Sequence, residues 1–152
     1  MPETRTAIGV DVGGTGTKAA IVDHEGGILL KIERPTDPTS GTKGVIAIVE
    51  DLLQRAHEVE ARPECVGVGA AGFIDASSGS VTFAPNLVYD DPQVAVALRT
   101  RTSLPVVVEI DAYAAAWGEL AFGAAQGLDN VALITIGTGI GSGFIVDGHL
   151  LR

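Results

Sequence analysis

An acid placed where a buried strand ends constrains this chain more than any other feature. The run "TAIGVDV", Thr6 to Val12, is apolar and β-prone, and Asp11 stands at its end with one residue between it and the turn "GGTGT", Gly13 to Thr17. Further β-prone runs follow at Thr17–Val22 and Ile28–Arg34, so a three-stranded meander is predicted. A plain hairpin turn would explain the glycines, because they supply positive φ. It does not explain the two hydroxyls, the acid just before the turn or Lys18 just after it. Bare N–H groups beside a hydroxyl and an ammonium suit phosphate oxygens, and a carboxylate alongside suits Mg²⁺. Both readings stand at this point.

Past the meander, Val45, Ile48, Val49, Leu52, Leu53, Ala56 and Val59 recur at helical spacing and predict a helix with one buried face, stopped by Pro63. "CVGVGAAGF" reads as a buried strand running into a glycine loop, and "FIDASSGSVTF" as a hairpin around Ser78-Gly79. Asp91 is the expected N-cap of a helix with Pro92 in its first turn, running to about Thr100. "LPVVVEI" is a continuous apolar strand, as in a sheet covered on both faces, and Asp111 then caps an Ala-rich helix. The order gives a mixed sheet flanked by helices, in the α/β class.

After Gly127, "VALITIGTGIGSGFIVDG" repeats the strand, glycine loop, strand pattern of the N-terminus. Aligned without gaps, Ile145-Val146-Asp147 falls on Ile21-Val22-Asp23 and Gly137 on Gly13. Chance accounts for a match this short; so does a duplicated half-molecule. On the second reading residues 1–127 form one domain and 128–152 begin another, which the chain leaves incomplete. The apolar strands Val131–Ile136 and Gly143–Val146 are then expected to lack a sheet to join, which predicts a homo-oligomer.

Composition narrows the partners. Hydrophobic residues make up 46% and charged residues 19% of the 152, a globular balance. A net charge of −9 with only 10 Lys and Arg argues against nucleic acid. No apolar run approaches the roughly 20 residues of a membrane span. "MPETRTAIGV" lacks the features of a signal peptide, and Cys65 has no second cysteine to pair with. A cytoplasmic location is therefore expected. Two phosphate motifs are excluded: neither glycine loop fits Gly-x-x-x-x-Gly-Lys-Ser/Thr, and "GVGAAG" precedes a turn where a dinucleotide loop opens a helix.

Asp111 sits at the carboxyl end of a strand, where ligands of open α/β sheets bind, and suits a base that accepts a hydroxyl proton during phosphoryl transfer. "DVGGTGTK", "GVGAAGFID", "APNL", "EIDAYAAAWGELAFGAAQG" and "ITIGTGIGSG" together resemble bacterial sugar kinases of the ROK (repressor, open reading frame, kinase) family, most of all its actinobacterial glucokinases. The resemblance implies an actin-like, hexokinase-type fold of two RNase H-like domains, which transfers phosphate from ATP to the 6-hydroxyl of glucose. It places Asp11, Gly13, Gly14, Thr15 and Lys18 in the first phosphate loop and Thr138, Gly139 and Gly141 in the second. Gly72 and Asn86 line the sugar pocket, Asp111 is the catalytic base and sugar ligand, and Asp11 helps hold Mg²⁺. Asn86 has an alternative role as a turn residue after Pro85.

Two departures follow from the resemblance. Where the family reads Glu-Asn-Asp-Ala-Asn-Ala, this chain has Glu109-Ile110-Asp111-Ala112-Tyr113-Ala114, so a hydrogen bond to the sugar is missing at Ile110 and Tyr113 is bulkier. The family's zinc cysteines, a sugar-contacting His–Glu segment and its adenosine site fall beyond Arg152. Residues 1–152 are therefore expected not to phosphorylate glucose unaided. A kinase for mannose, fructose or an N-acetylhexosamine is the alternative, as is a non-catalytic kinase-like domain. A ROK repressor is disfavoured, because the first strand leaves no room ahead of it for a DNA-binding helix-turn-helix.

Overall fold

The computed structural model describes residues 5–137 and 139–152. The meander is present as β1 (Thr6–Val12), β2 (Gly16–Asp23) and β3 (Ile28–Pro35). Alternation along β1 decides its faces: Thr6, Ile8, Val10 and Val12 are buried, while Ala7, Gly9 and Asp11 turn the other way. A slip of one residue would drive Asp11 into the core, so the register is strongly specified. β1 pairs antiparallel with β2, and parallel with β4 (Pro63–Ala70), which pairs parallel with β7 (Val106–Ile110). The sheet order is β3-β2-β1-β4-β7, which puts β1 in the middle.

Helices α1 (Gly41–Arg55) and α2 (Val94–Thr102) cover one face. Val45, Val49, Leu52, Val94 and Leu98 pack there with Ile8, Val10, Ile21, Val66 and Val108 as one cluster. Each such side chain contributes about 1.5–3 kcal/mol on burial. The opposite face is partly open: helix α3 (Asp111–Phe122) packs on its β4–β7 end, and Phe122 at the helix end reaches Gly26 in the β2–β3 turn. β7 is therefore not covered on both faces as expected: Val106 and Val108 point at the helices, but Val107, on an edge strand, is 67% exposed.

Three helix boundaries also differ. α1 passes into a 3₁₀ turn, Ala56–Val59, and ends at Glu60, which takes a left-handed φ of 53°. Pro63 opens β4 and stops nothing. α2 begins at Val94 because Pro92 already sits in a tight turn, its carbonyl accepting the Val94 N–H at 3.0 Å, while the Asp91 carboxylate accepts the Gln93 N–H at 2.9 Å. Asp111 is the first residue of α3, with Ile110 in the capping position, and its carboxylate accepts the Ala112 N–H at 2.7 Å.

The hairpin β5 (Phe73–Asp75) and β6 (Ser80–Phe83) is as predicted. Beyond it, β8 (Val131–Ile136), β9 (Ile140–Val146) and the short β10 (His149–Leu150) form a separate sheet in the order β10-β9-β8. This sheet is not unsupported, contrary to expectation. Two glycines let β9 lie close on α3: a Cβ on Gly143 would stand 2.8 Å from Ala116 Cβ, and one on Gly141 would stand 3.1 Å from Ala112 Cβ. Ile145 is buried at 1% exposure, whereas Ile136 at the end of β8 remains 84% exposed. No helix among the described residues is long and apolar enough to cross a membrane.

Gly143 and Gly118 should separate this packing from helix propensity. Gly143→Ala forces a methyl into Ala116 and should destabilise the chain by about 1–3 kcal/mol. Gly118→Ala, in the middle of α3 with open space around its added methyl, should stabilise it by about 0.5–1 kcal/mol. Urea denaturation of the two variants beside the parent chain checks both signs.

Candidate active site

Asp11 owes its position to the ladders on either side of it. Lys18 is its partner on β2 and Gly69 its partner on β4, and Gly69 in turn pairs with Glu109 on β7. The missing side chain at Gly69 makes room for the first turn of α3. A Cβ there would come 3.4 Å from the Asp111 Cα and 3.5 Å from Ala114 Cβ. Asp111 is thereby lowered onto the sheet beside Asp11. Asp11 has its pKa raised, first by partial burial and then by the Asp111 charge, with Lys18 pulling the other way. Two acids and one cation thus meet at the carboxyl end of β1. A paired carboxylate site of this kind fits Mg²⁺, which takes one or two carboxylates and keeps waters on its other positions.

The first glycine turn keeps amides for a ligand. Gly13 N–H donates to the Gly16 carbonyl at 3.1 Å, so that amide is spent. Gly14 and Thr15 N–H have no partner among the described residues, and they sit two and three positions past the end of β1. Lys18 lies on β2, exposed and on the same face as Asp11. The second turn runs from Gly137 to Gly139, with Gly137 N–H donating to Gly139 O at 2.9 Å. Thr138 lies outside the described residues. Gly139 is exposed in the turn, but Gly141 belongs to β9, opposite Thr135 and tight against Ala112. That contact brings the β8–β9 turn to the end of α3 that carries Asp111.

Gly72 and Asn86 arrive from a third direction. Ala71 N–H donates to the Val12 carbonyl at 3.2 Å, which sets the loop after β4 beside the first turn. At Gly72, φ is 157° and a Cβ would lie 2.4 Å from the Phe83 carbonyl, so only glycine permits this crossing. Asn86 follows, and its side chain lies against Gly14: a Cβ on Gly14 would stand 3.6 Å from Asn86 Cβ. Pro85 and Asn86 lie in a turn, as the alternative reading expected, and the Asn86 side-chain amide is exposed with no hydrogen bond among the described residues, so the turn position leaves it free. Its loop is strapped to the start of α1 by Val88 N–H to Pro38 O (2.8 Å), Thr42 hydroxyl to Asp91 O (2.6 Å) and Lys43 to Asp90 (2.6 Å).

Asp11, Gly14, Thr15, Lys18, Asn86 and Asp111 therefore share one region, flanked by Gly72 and the second turn. Ile110 enters α3 half-buried, its N–H held by the Glu109 carboxylate at 3.1 Å, and offers the site no polar side chain. Glu109 is itself held by Arg152 at 2.7 Å. Gly69 and Thr42 were not singled out in the sequence. Gly69 read as one more glycine in a loop motif, and only the β1–β4 register reveals that it faces Asp11.

The fold agrees with comparisons across known proteins. The model of the ROK family matches residues 7–152. The glucokinase of Streptomyces coelicolor is 44% identical over 147 residues, 95% of this chain and 45% of that protein. The crystal structure of a ROK family glucokinase from Streptomyces griseus in complex with glucose and AMPPNP is similar with a TM-score of 0.86 at 44% identity, covering 97% of this chain and 46% of that one. The ROK hexokinase from Thermus thermophilus gives a TM-score of 0.81 at 34% identity, covering 97% and 49%. The chain thus spans about half the length of the relatives it matches. Its mixed sheet with flanking helices is the actin-like fold of these kinases, and the chain belongs to the ROK family.

Proposed function

We propose that this chain supplies the base and the first phosphate loop of an ATP-dependent hexose kinase acting on the 6-hydroxyl of glucose. The observation that carries the reading is the meeting of Asp11 and Asp111 beside a turn with two unspent amides. In this reading the Asp111 carboxylate accepts the proton of the sugar hydroxyl as its oxygen bonds to the terminal phosphorus and ADP leaves. Asn86 and Gly72 flank the sugar. The Gly14 and Thr15 N–H groups, with Lys18, hold phosphate oxygens from one side, and Gly139, with Gly141 behind it, faces them from the other; Thr138 is assigned to this loop from the sequence motif alone. Asp11 would hold Mg²⁺, which when bound offsets the negative charge of the phosphates. Residues 1–127 form the first domain and 128–152 open a second of the same kind.

Glucose is the first choice of substrate because the S. griseus structure holds it. Ile110, lacking a hydrogen-bonding group, favours a wider choice among hexoses, which a competition panel with mannose, fructose and N-acetylglucosamine reads directly. The exposed Ile134 and Ile136 on the edge strand β8, with Ile140 opposite Ile136 on β9, support self-association. Sedimentation velocity should show a concentration-dependent dimer, and a monomer at all concentrations removes that part of the proposal.

The two acids make separable predictions. Asp111→Asn in the active kinase should lower kcat by about 10²–10⁴-fold while the fold stays intact; retention of full turnover would refute the base assignment. Asp11→Asn should do something different to stability. A carboxyl whose folded pKa is raised weakens the fold when ionised and does nothing when protonated. The Asn variant should therefore melt higher than the parent at neutral pH. Its advantage should vanish as pH falls through the raised Asp11 pKa toward the ordinary carboxylate range. Thermal scans across that range, without nucleotide or Mg²⁺, check the sign.

A further inference from the structure

The turn Gly13–Thr15 has a partner outside every motif in the sequence. Thr36 follows β3 and is half-buried. Its hydroxyl donates to the Gly13 carbonyl at 2.8 Å and lies 2.8 Å from Thr17 Oγ1, and its N–H donates to the Thr15 carbonyl at 3.1 Å. A hydroxyl carries one proton. With the Thr36 proton on Gly13, the Thr17 hydroxyl must be the donor to Thr36, so the relay runs from Thr17 through Thr36 to Gly13. Thr17 is 5% exposed, which shelters the start of the relay from water.

The consequence is directional. A trans peptide is planar, and its C=O and N–H point opposite ways. No peptide among the described residues is cis. Pinning the Gly13 carbonyl to Thr36 therefore aims the Gly14 N–H away from Thr36, and pinning the Thr15 carbonyl does the same for the Gly16 N–H. Two adjacent glycines would otherwise leave the Gly13–Gly14 peptide free to turn. Such a turn would cost the loop one of its two unspent amides.

We propose that Thr36 is a positioning residue for the phosphate loop: its hydroxyl holds the Gly13–Gly14 peptide so that the Gly14 N–H faces a phosphate oxygen. This rests on the reading of the turn as a phosphate site. Thr36 touches no ligand and acts through Gly13. A threonine that merely finished β3 would lower stability when replaced and leave anion affinity unchanged.

The test titrates the ¹⁵N-labelled chain with inorganic tripolyphosphate and Mg²⁺ and follows the Gly14 and Thr15 amide resonances. The parent chain should show saturable shifts. Thr36→Val, nearly the same size without the hydroxyl, should bind about tenfold more weakly, and Thr36→Ser should stay within about twofold of the parent. Unfolding midpoints recorded on the same samples separate affinity from stability. Equal affinity of parent and folded Thr36→Val overturns the inference and leaves the phosphate site standing. Absence of any shift in the parent overturns both. Should Thr36→Val not fold, Thr36→Ala removes the same proton without the added branch and is read in the same titration.

Discussion

The close seat of α3 on Gly69 is the contact on which the rest of the site depends. Glycine at that one position of β4 lets the helix come down until the Asp111 Cα would stand 3.4 Å from an added Cβ. A methyl there would just touch the helix start, and any larger side chain would lift it and part the two acids. The same register places Asp11 next to Gly69, so a single ladder of paired residues, Lys18, Asp11, Gly69 and Glu109, runs under the N-terminal end of the helix. A parallel β1–β4 pairing provides this without further adjustment, because it brings the carboxyl ends of both strands to one edge.

This arrangement concentrates like charge. Partial burial and then the Asp111 carboxylate both disfavour the ionised form of Asp11, and Lys18 offsets them in part. Strain of this kind is common at sites whose ligand is itself cationic or carries a cation. The core on the far side of the sheet carries the stability, through Leu52, Val49, Leu98 and Ile21, all buried to within 1% exposure. The two faces of β1 therefore serve opposite ends. One is apolar and tightly packed; the other is open, with small residues at Ala7 and Gly9 and charge only at Asp11.

Small residues do the joining elsewhere. Gly141 and Gly143 of β9 meet Ala112 and Ala116 of α3, and this fixes the second turn relative to Asp111. Hydroxyls join the remaining loops, Thr36 to the first turn and Thr42 to the Asn86 loop. The segment from Thr36 to Lys43 consequently touches both the turn proposed for phosphate and the loop proposed for sugar.

Periodicity and turn chemistry in the sequence were enough to determine the meander, the helix face at Val45–Leu52, the hairpin at Ser78-Gly79 and the α/β order, because those depend on neighbours within a few residues. The joint motifs also pointed to Asp11, Asn86 and Asp111. The helix starts at Val94 and Asp111 differ from expectation by two residues and one, since Asp91 and Asp111 are as suited to a turn or a first helical position as to a cap. The support of β8–β9 by α3, the open face at Val107, the facing of Gly69 and Asp11 and the grip of Thr36 on Gly13 were decided only by tertiary structure. Each is set by the register between strands or by the packing distance between elements far apart in the chain, and no local pattern encodes either quantity.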